Sequence, residues 1–276
     1  MSEHSFFVND TEVHLSGRGQ HTIVMLHGWP DSYRLWDGMV EALAPLYRCA
    51  RFTMPGFEQP AAAKPRTLAQ MTAQLLAILD TVSPQQPVTL LMHDWGCVFG
   101  YELALRHPNR VARIVGIDIG DHNSGALARS LGAKQKLQVL AYQLWLAGCW
   151  GLGMLGAEGL ADRLTRRMAH LMRCPTAASG IHWRMNLPYA MAWLGAAGGL
   201  RHTLPVRPHC PVFYAWGTRK PFMFHSSRWL ETLARNPANL ALGFRSGHWV
   251  MVDQPEALQT AVRDWLQSLP EPAGRP

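Results

Sequence analysis

The chain has 276 residues, 16% charged and 48% hydrophobic, enough apolar material for a packed core and too orderly a mix for a disordered chain. Its 26 basic against 19 acidic residues leave +7, but no basic run is interleaved with aromatics, so nucleic acid is not an expected partner. Residues 1–10 lack the basic and apolar regions of a secretory signal, and the five cysteines are scattered without a CxxC pair. We therefore expect a cytoplasmic protein with reduced thiols and no metal site.

In chain order, residues 22–26 (TIVML) form a compact β-rich run that stops at the turn His27-Gly28-Trp29-Pro30. Residues 31–46 have helical spacing, with Leu35, Met39, Leu43 and Leu46 on one side. Residues 47–53 read as a second strand, closed by Pro55-Gly56, and 67–81 as an amphipathic helix with Thr67 as its cap. The apolar run 87–92 suits a strand buried on both faces. A helix follows at 98–106 and a strand at 111–119. After a helical, glycine-punctuated stretch, the rhythm resumes with a strand at 211–216, a helix at 226–235, a strand at 240–244 and a helix at 255–269. Residues after Pro270 read as a frayed tail. Strands alternating with helices imply an α/β protein with a doubly wound, mostly parallel sheet. Its core would comprise residues 1–120 and 206–276, with a helical cap inserted at 121–205.

The stretch 137–157 carries no charge over 21 residues and is long enough to span a membrane. Its two glutamines and four glycines favour a glycine-broken segment lining a pocket, so no transmembrane span is expected. The arginines of 163–173 read as a solvated helix face.

In an open parallel sheet, chemistry gathers at the carboxyl ends of the strands, and three such ends carry polar residues. Met92-His93-Asp94-Trp95-Gly96 stands where strand 87–92 turns into a helix, the setting of a nucleophile elbow. An aspartate there is stabilised as the anion by the helix terminus and needs no base, which suits displacement at a saturated carbon. Taken alone, an aspartate at this position reads first as a helix cap. His248 follows the last strand and is a candidate base, or an exposed loop histidine. Asp118 ends strand 111–119 and could orient His248, with Asp121 competing for that role. The backbone N–H groups of Trp29 and Trp95 would form an oxyanion hole.

The segments HGWPDSYRLWD (27–37), HDWG (93–96), ALRHPNRV (104–111) and GHWVMVDQPE (247–256) resemble, in order, the aspartate-nucleophile branch of the α/β-hydrolase superfamily. They are most like epoxide hydrolases, with haloalkane dehalogenases next. The resemblance implies a cofactor-free enzyme, monomer or homodimer, that opens a small lipophilic epoxide to a vicinal diol through an aspartyl ester on Asp94. It further implies that lid tyrosines Tyr142 and Tyr189 donate to the epoxide oxygen and that His248, oriented by Asp118, activates water. His182 would be a spare donor, and His27, His93, Trp145 and Trp183 are expected to line the pocket. The alternatives are a haloalkane dehalogenase, a lactone or ester hydrolase with the same nucleophile, and a non-catalytic ligand-binding protein. Three residues depart from the family pattern. Lys220 replaces the acid of a WGxxD motif, Met92 replaces a small residue at the elbow, and Thr53 stands where an aspartate is common.

Overall fold

The computed structural model describes residues 3–57 and 65–271, so residues 272–276 of the expected tail lie outside it. The chain begins with a hairpin that the sequence pattern did not predict, β1 (Glu3–Val8) and β2 (Thr11–Ser16), turning at Asn9-Asp10 with Asn9 at φ 54°. Asparagine tolerates that left-handed turn, which is the signal the sequence offered. Next comes β3 (Thr22–Leu26). Residues 31–46 are not one helix. Ser32 caps a short 3-10 turn, Tyr33–Trp36, and α1 (Asp37–Leu43) follows it.

Beyond β4 (Arg48–Phe52), α2 (Leu68–Val82) opens with the expected Thr67 cap, completed by Gln70 as a reciprocal capping box. Then come β5 (Val88–His93), α3 (Trp95–Arg106) and β6 (Val111–Ile117). Four helices intervene before the sheet resumes: α4 (Gly125–Ser130), α5 (Ala133–Met154), α6 (Glu158–Leu171) and α7 (Leu187–Leu194). The chain ends with β7 (Val212–Gly217), α8 (Ser227–Leu233), β8 (Leu240–Phe244), α9 (Val250–Asp253) and α10 (Pro255–Ser268).

The eight strands lie in the order β1-β2-β4-β3-β5-β6-β7-β8, parallel except for the two pairings of β2. Alternate residues of the central strands feed two cores. Val24, Leu26, Leu90 and Met92 join α2 and α3 on one face, while Ile23, Met25 and Leu91 join α1 and α10 on the other. This two-sided burial is why these strands read as unbroken apolar runs.

The segment 137–157 is not broken by its glycines, because α5 runs through Gly148 and Gly151 to Met154. Gly153 has a packing reason: a Cβ there would lie 2.1 Å from the Trp183 ring. Among the described residues no helix is long and apolar enough to cross a membrane.

Candidate active site

Asp94 occupies the single-residue turn between β5 and α3 at φ 50°, and its side chain makes no cap bond to the helix. The capping alternative is thereby set aside. Non-glycine residues rarely hold positive φ, and such strain is kept where the fold needs a side chain presented. The turn is possible because two glycines yield space. A Cβ on Gly96 would lie 2.3 Å from the Leu26 carbonyl, and one on Gly28 would lie 2.5 Å from the Asp94 carboxylate and 2.6 Å from the Trp95 nitrogen.

The Trp29 N–H donates to Asp94 Oδ2 at 2.8 Å. Trp95 is the first residue of α3, and an N–H in the first turn has no acceptor within its helix. Both donors proposed for an oxyanion hole therefore border the Asp94 carboxylate.

His248 Nε2 lies 3.6 Å from Asp94 Oδ1, while its Nδ1 donates to Asp118 Oδ2. Asp118, fully buried at φ 71°, takes the Gly217 N–H on Oδ1 at 3.1 Å. Asp121, the competitor, is engaged elsewhere by the Ser226 N–H and the Ser124 and Ser226 hydroxyls.

Lys220 supplies what sequence reasoning missed. Its buried ammonium pairs with Asp118 Oδ1, so the residue that replaces one acid neutralises the other. The signal was a charge balance: two buried carboxylates and one histidine leave a negative surplus that a nearby cation offsets.

Burial works against a charged His248, yet Asp118 and then Asp94 outweigh it and raise its pKa to about 9. Burial likewise raises both carboxyls, but His248 holds Asp94 below the usual carboxylate value, and Lys220 and His248 do the same for Asp118. The resting site thus holds two carboxylates, an ammonium and an imidazolium.

The two tyrosines of the helical insertion converge here. Tyr189 sets its ring edge-on to Trp95 at 5.1 Å and Trp29 at 5.8 Å, and Tyr142 meets Tyr189 at 6.1 Å. Burial, and after it the Asp94 charge, keeps the Tyr189 hydroxyl protonated. Tyr142 is likewise raised by burial and accepts a 3.0 Å hydrogen bond from Gln143. His182 instead faces the Phe57 carbonyl at 3.3 Å.

The expected pocket residues divide. His27 accepts from the Met54 N–H and donates to the Gly28 carbonyl, both at 2.8 Å, bracing the turn that carries the Trp29 N–H. His93 donates to the His248 carbonyl at 3.1 Å. Neither has exposed surface; burial lowers their pKa values to about 4 and about 3, so both are neutral supports rather than pocket walls. Trp145 is on the outer side of the insertion and donates to the Leu164 carbonyl. Trp183 is buried inside the insertion beside Trp150. Among the described residues neither touches the Asp94–His248–Asp118 cluster.

Two further contacts tie insertion to core. Asn186 accepts the Trp29 indole N–H at 2.8 Å. Buried Asp31 accepts from Thr176 at 2.5 Å and from the Trp249 indole at 2.9 Å, and burial raises its pKa to about 6. Met92 fits the elbow because its sulfur lies over Gly100, where a Cβ would be 2.0 Å away. Thr53 lines a separate cleft of about 320 Å³ with His14, Tyr33 and Phe57. No group of three or more His, Cys, Asp or Glu that could hold a metal occurs among the described residues.

Residues 21–149 match the family model described as alpha/beta hydrolase fold. A decarboxylase of cis-3-alkyl-4-alkyloxetan-2-ones from Xanthomonas campestris pv. campestris is 28% identical over 282 residues, spanning 90% of this chain and 89% of that one. The protein named Probable oxidoreductase EphD, from Mycobacterium tuberculosis, is 38% identical over 96 residues, which is 34% of this chain but only 16% of that protein. An inhibitor complex of a Bacillus megaterium epoxide hydrolase superposes with a TM-score of 0.69 at 16% identity, covering 96% of this chain and 100% of the other. The eight-stranded sheet, the strained turn at the end of β5 and these similarities give the chain the α/β-hydrolase fold.

Proposed function

We propose that the chain is a hydrolase that opens a small lipophilic epoxide to a vicinal diol through an ester on Asp94. The observation that carries this reading is the packing of Tyr189 onto Trp29 and Trp95, the residues whose backbone flanks the Asp94 carboxylate, with Tyr142 set against Tyr189. Two protonated phenols above an ionised carboxylate suit a ring whose carbon is attacked as its oxygen becomes an alkoxide.

Asp94 attacks the ring carbon and the C–O bond breaks. The tyrosine hydroxyls donate to the departing oxygen, which takes a proton from one of them. Ester formation cancels the Asp94 charge, one of the two that hold the His248 proton. His248 then releases that proton to restore the tyrosine and becomes a base. It deprotonates water, the hydroxide adds to the ester carbonyl, and the Trp29 and Trp95 N–H groups take the oxyanion. Collapse transfers the His248 proton to the leaving diol oxygen and leaves Asp94 as the acid, whose proton passes to His248 and restores the carboxylate and the imidazolium.

His248→Gln incubated with an epoxide should accumulate an Asp94 peptide heavier by the mass of the epoxide, and Asp94→Ala should lose turnover. No adduct, together with activity that survives Asp94→Ala, would overturn the reading.

The similarity to the oxetanone decarboxylase runs along nearly the whole of both sequences and favours a second reading: a strained four-membered lactone as the ring that Asp94 opens. Assaying an epoxide, a cis-dialkyl oxetanone and a bromoalkane side by side separates diol, carbon dioxide and halide as products.

A further inference from the structure

The net charge of +7 is not spread over the molecule. Residues 121–205 hold nine basic and only three acidic side chains, so the helical insertion and its flanks carry +6 of it. Those three acids are already engaged: Glu158 pairs with Arg184, Asp162 with Arg166, and Asp121 is buried on Ser124 and Ser226. Arg163 and Arg167 on the exposed side of α6, and Lys134 and Lys136 at the start of α5, make no ion pair among the described residues.

The same surface is apolar. Leu137, Ala141, Leu144, Trp145 and Leu155 recur at helical spacings along α5 and its end, and all are exposed, Leu137 at 66% and Leu155 at 86%. Trp145 leans onto α6 through its bond to Leu164, and Leu160 and Leu171 on α6 extend the face. On the α7 side Trp193 and Leu194 are exposed, with the Trp193 indole N–H fixed to Gln143 at 2.7 Å. Soluble monomers seldom expose so continuous an apolar surface without using it.

We infer that this outer face of the insertion docks on an anionic lipid surface. Leucine and tryptophan would enter the headgroup boundary while the α6 arginines and α5 lysines meet lipid phosphates and carboxylates, the division of labour of an interfacial helix. A second copy of the chain fits less well, because a two-fold interface would bring one unpaired basic rim against another. A nucleic acid would satisfy the arginines but leave the leucines against water. The inference is independent of the chemistry assigned to Asp94.

Flotation of the full chain with vesicles tests it, comparing pure phosphatidylcholine with phosphatidylcholine containing about 30 mol% phosphatidylserine. Binding is expected to the anionic vesicles, weakened by about 0.5 M salt, which screens exposed charges beyond a few ångströms. Arg163→Glu combined with Arg167→Glu should lower partitioning about tenfold or more, and Leu144→Ser combined with Leu155→Ser should lower it comparably, both with unchanged melting transitions. Equal binding to the two vesicle types, or none to the anionic ones, would overturn the inference. So would a dimer in solution that the serine pair dissociates while vesicles remain unbound.

Discussion

At the scale of single residues, the site is governed by charge balance around His248. Lys220 shares Asp118 with it, so removing the ammonium leaves His248, among the described residues, as the only cation beside two carboxylates. Neighbouring His93 and His225 are neutralised by burial, which lowers them to about 3 and about 4, and supply no substitute; Asp31 faces the site as a further carboxyl. Lys220→Met should therefore raise the His248 pKa, move the rise of ester hydrolysis with pH to higher pH, and slow it about tenfold at neutral pH. Lys220→Arg should restore the wild-type profile, an outcome that single-turnover rates across pH would read. The same titration bears on stability. With a folded pKa raised from 6.5 to about 9, His248 contributes stability that is complete below pH 6.5 and is lost as pH rises through about 9. The melting-temperature advantage of the wild type over His248→Gln should shrink across that window. Gly28 is a third test: with no room for a Cβ beside Asp94, Gly28→Ala should lower turnover about a hundredfold by displacing the carboxylate.

At the scale of elements, the junction of β5 and α3 shows why one departure from the family pattern is harmless. Met92 is the penultimate residue of β5, which is buried throughout, and its sulfur occupies the space over Gly100, a full turn and more into α3. Gly100→Ala should cost about 1–3 kcal/mol by overpacking although alanine favours helix, and Met92→Ala in the same chain should recover part of that loss. Denaturant midpoints of the two single variants and the double variant would show the coupling. The pairing was not legible from the sequence, since residues 92 and 100 meet only when α3 folds back onto the sheet. The hairpin β1–β2 was hidden for a different reason. Its outer residues are exposed and its signal was two turn residues, Asn9 and Asp10, whereas the central strands announced themselves by burial on both faces.

At the scale of the whole molecule, the buried histidines have a thermodynamic consequence. His21, His27, His122 and His225 are pushed down to about 4 and His93 to about 3, burial being the main cause for each. Their unfolded values lie near 6.5, so unfolding takes up protons between pH 6.5 and about 4 and stability falls as pH drops through that range. Asp31, raised to about 6, gives a single opposing contribution. The melting temperature should decline steeply below about pH 6, before most carboxylates titrate, which calorimetry over about pH 4–7 would test. The charge of the molecule is asymmetric as well, with the insertion strongly basic and the sheet-bearing remainder nearly neutral.

The sequence by itself determined the α/β core, the strand-to-helix turn at Asp94 and the strand ends carrying Asp118 and His248. All of these follow from local signals: apolar runs, turn residues and their order along the chain. Only the tertiary structure decided that Asp118 rather than Asp121 meets His248, that Lys220 neutralises it, and that Tyr142 and Tyr189 reach the site while Trp145 and Trp183 do not. Those choices depend on which residues far apart in the chain share one buried volume and must satisfy one another's charge. Helical periodicity gives a side chain its direction about its own axis, and the packing of α5, α6 and α7 on one another and on the core then decides what that direction faces.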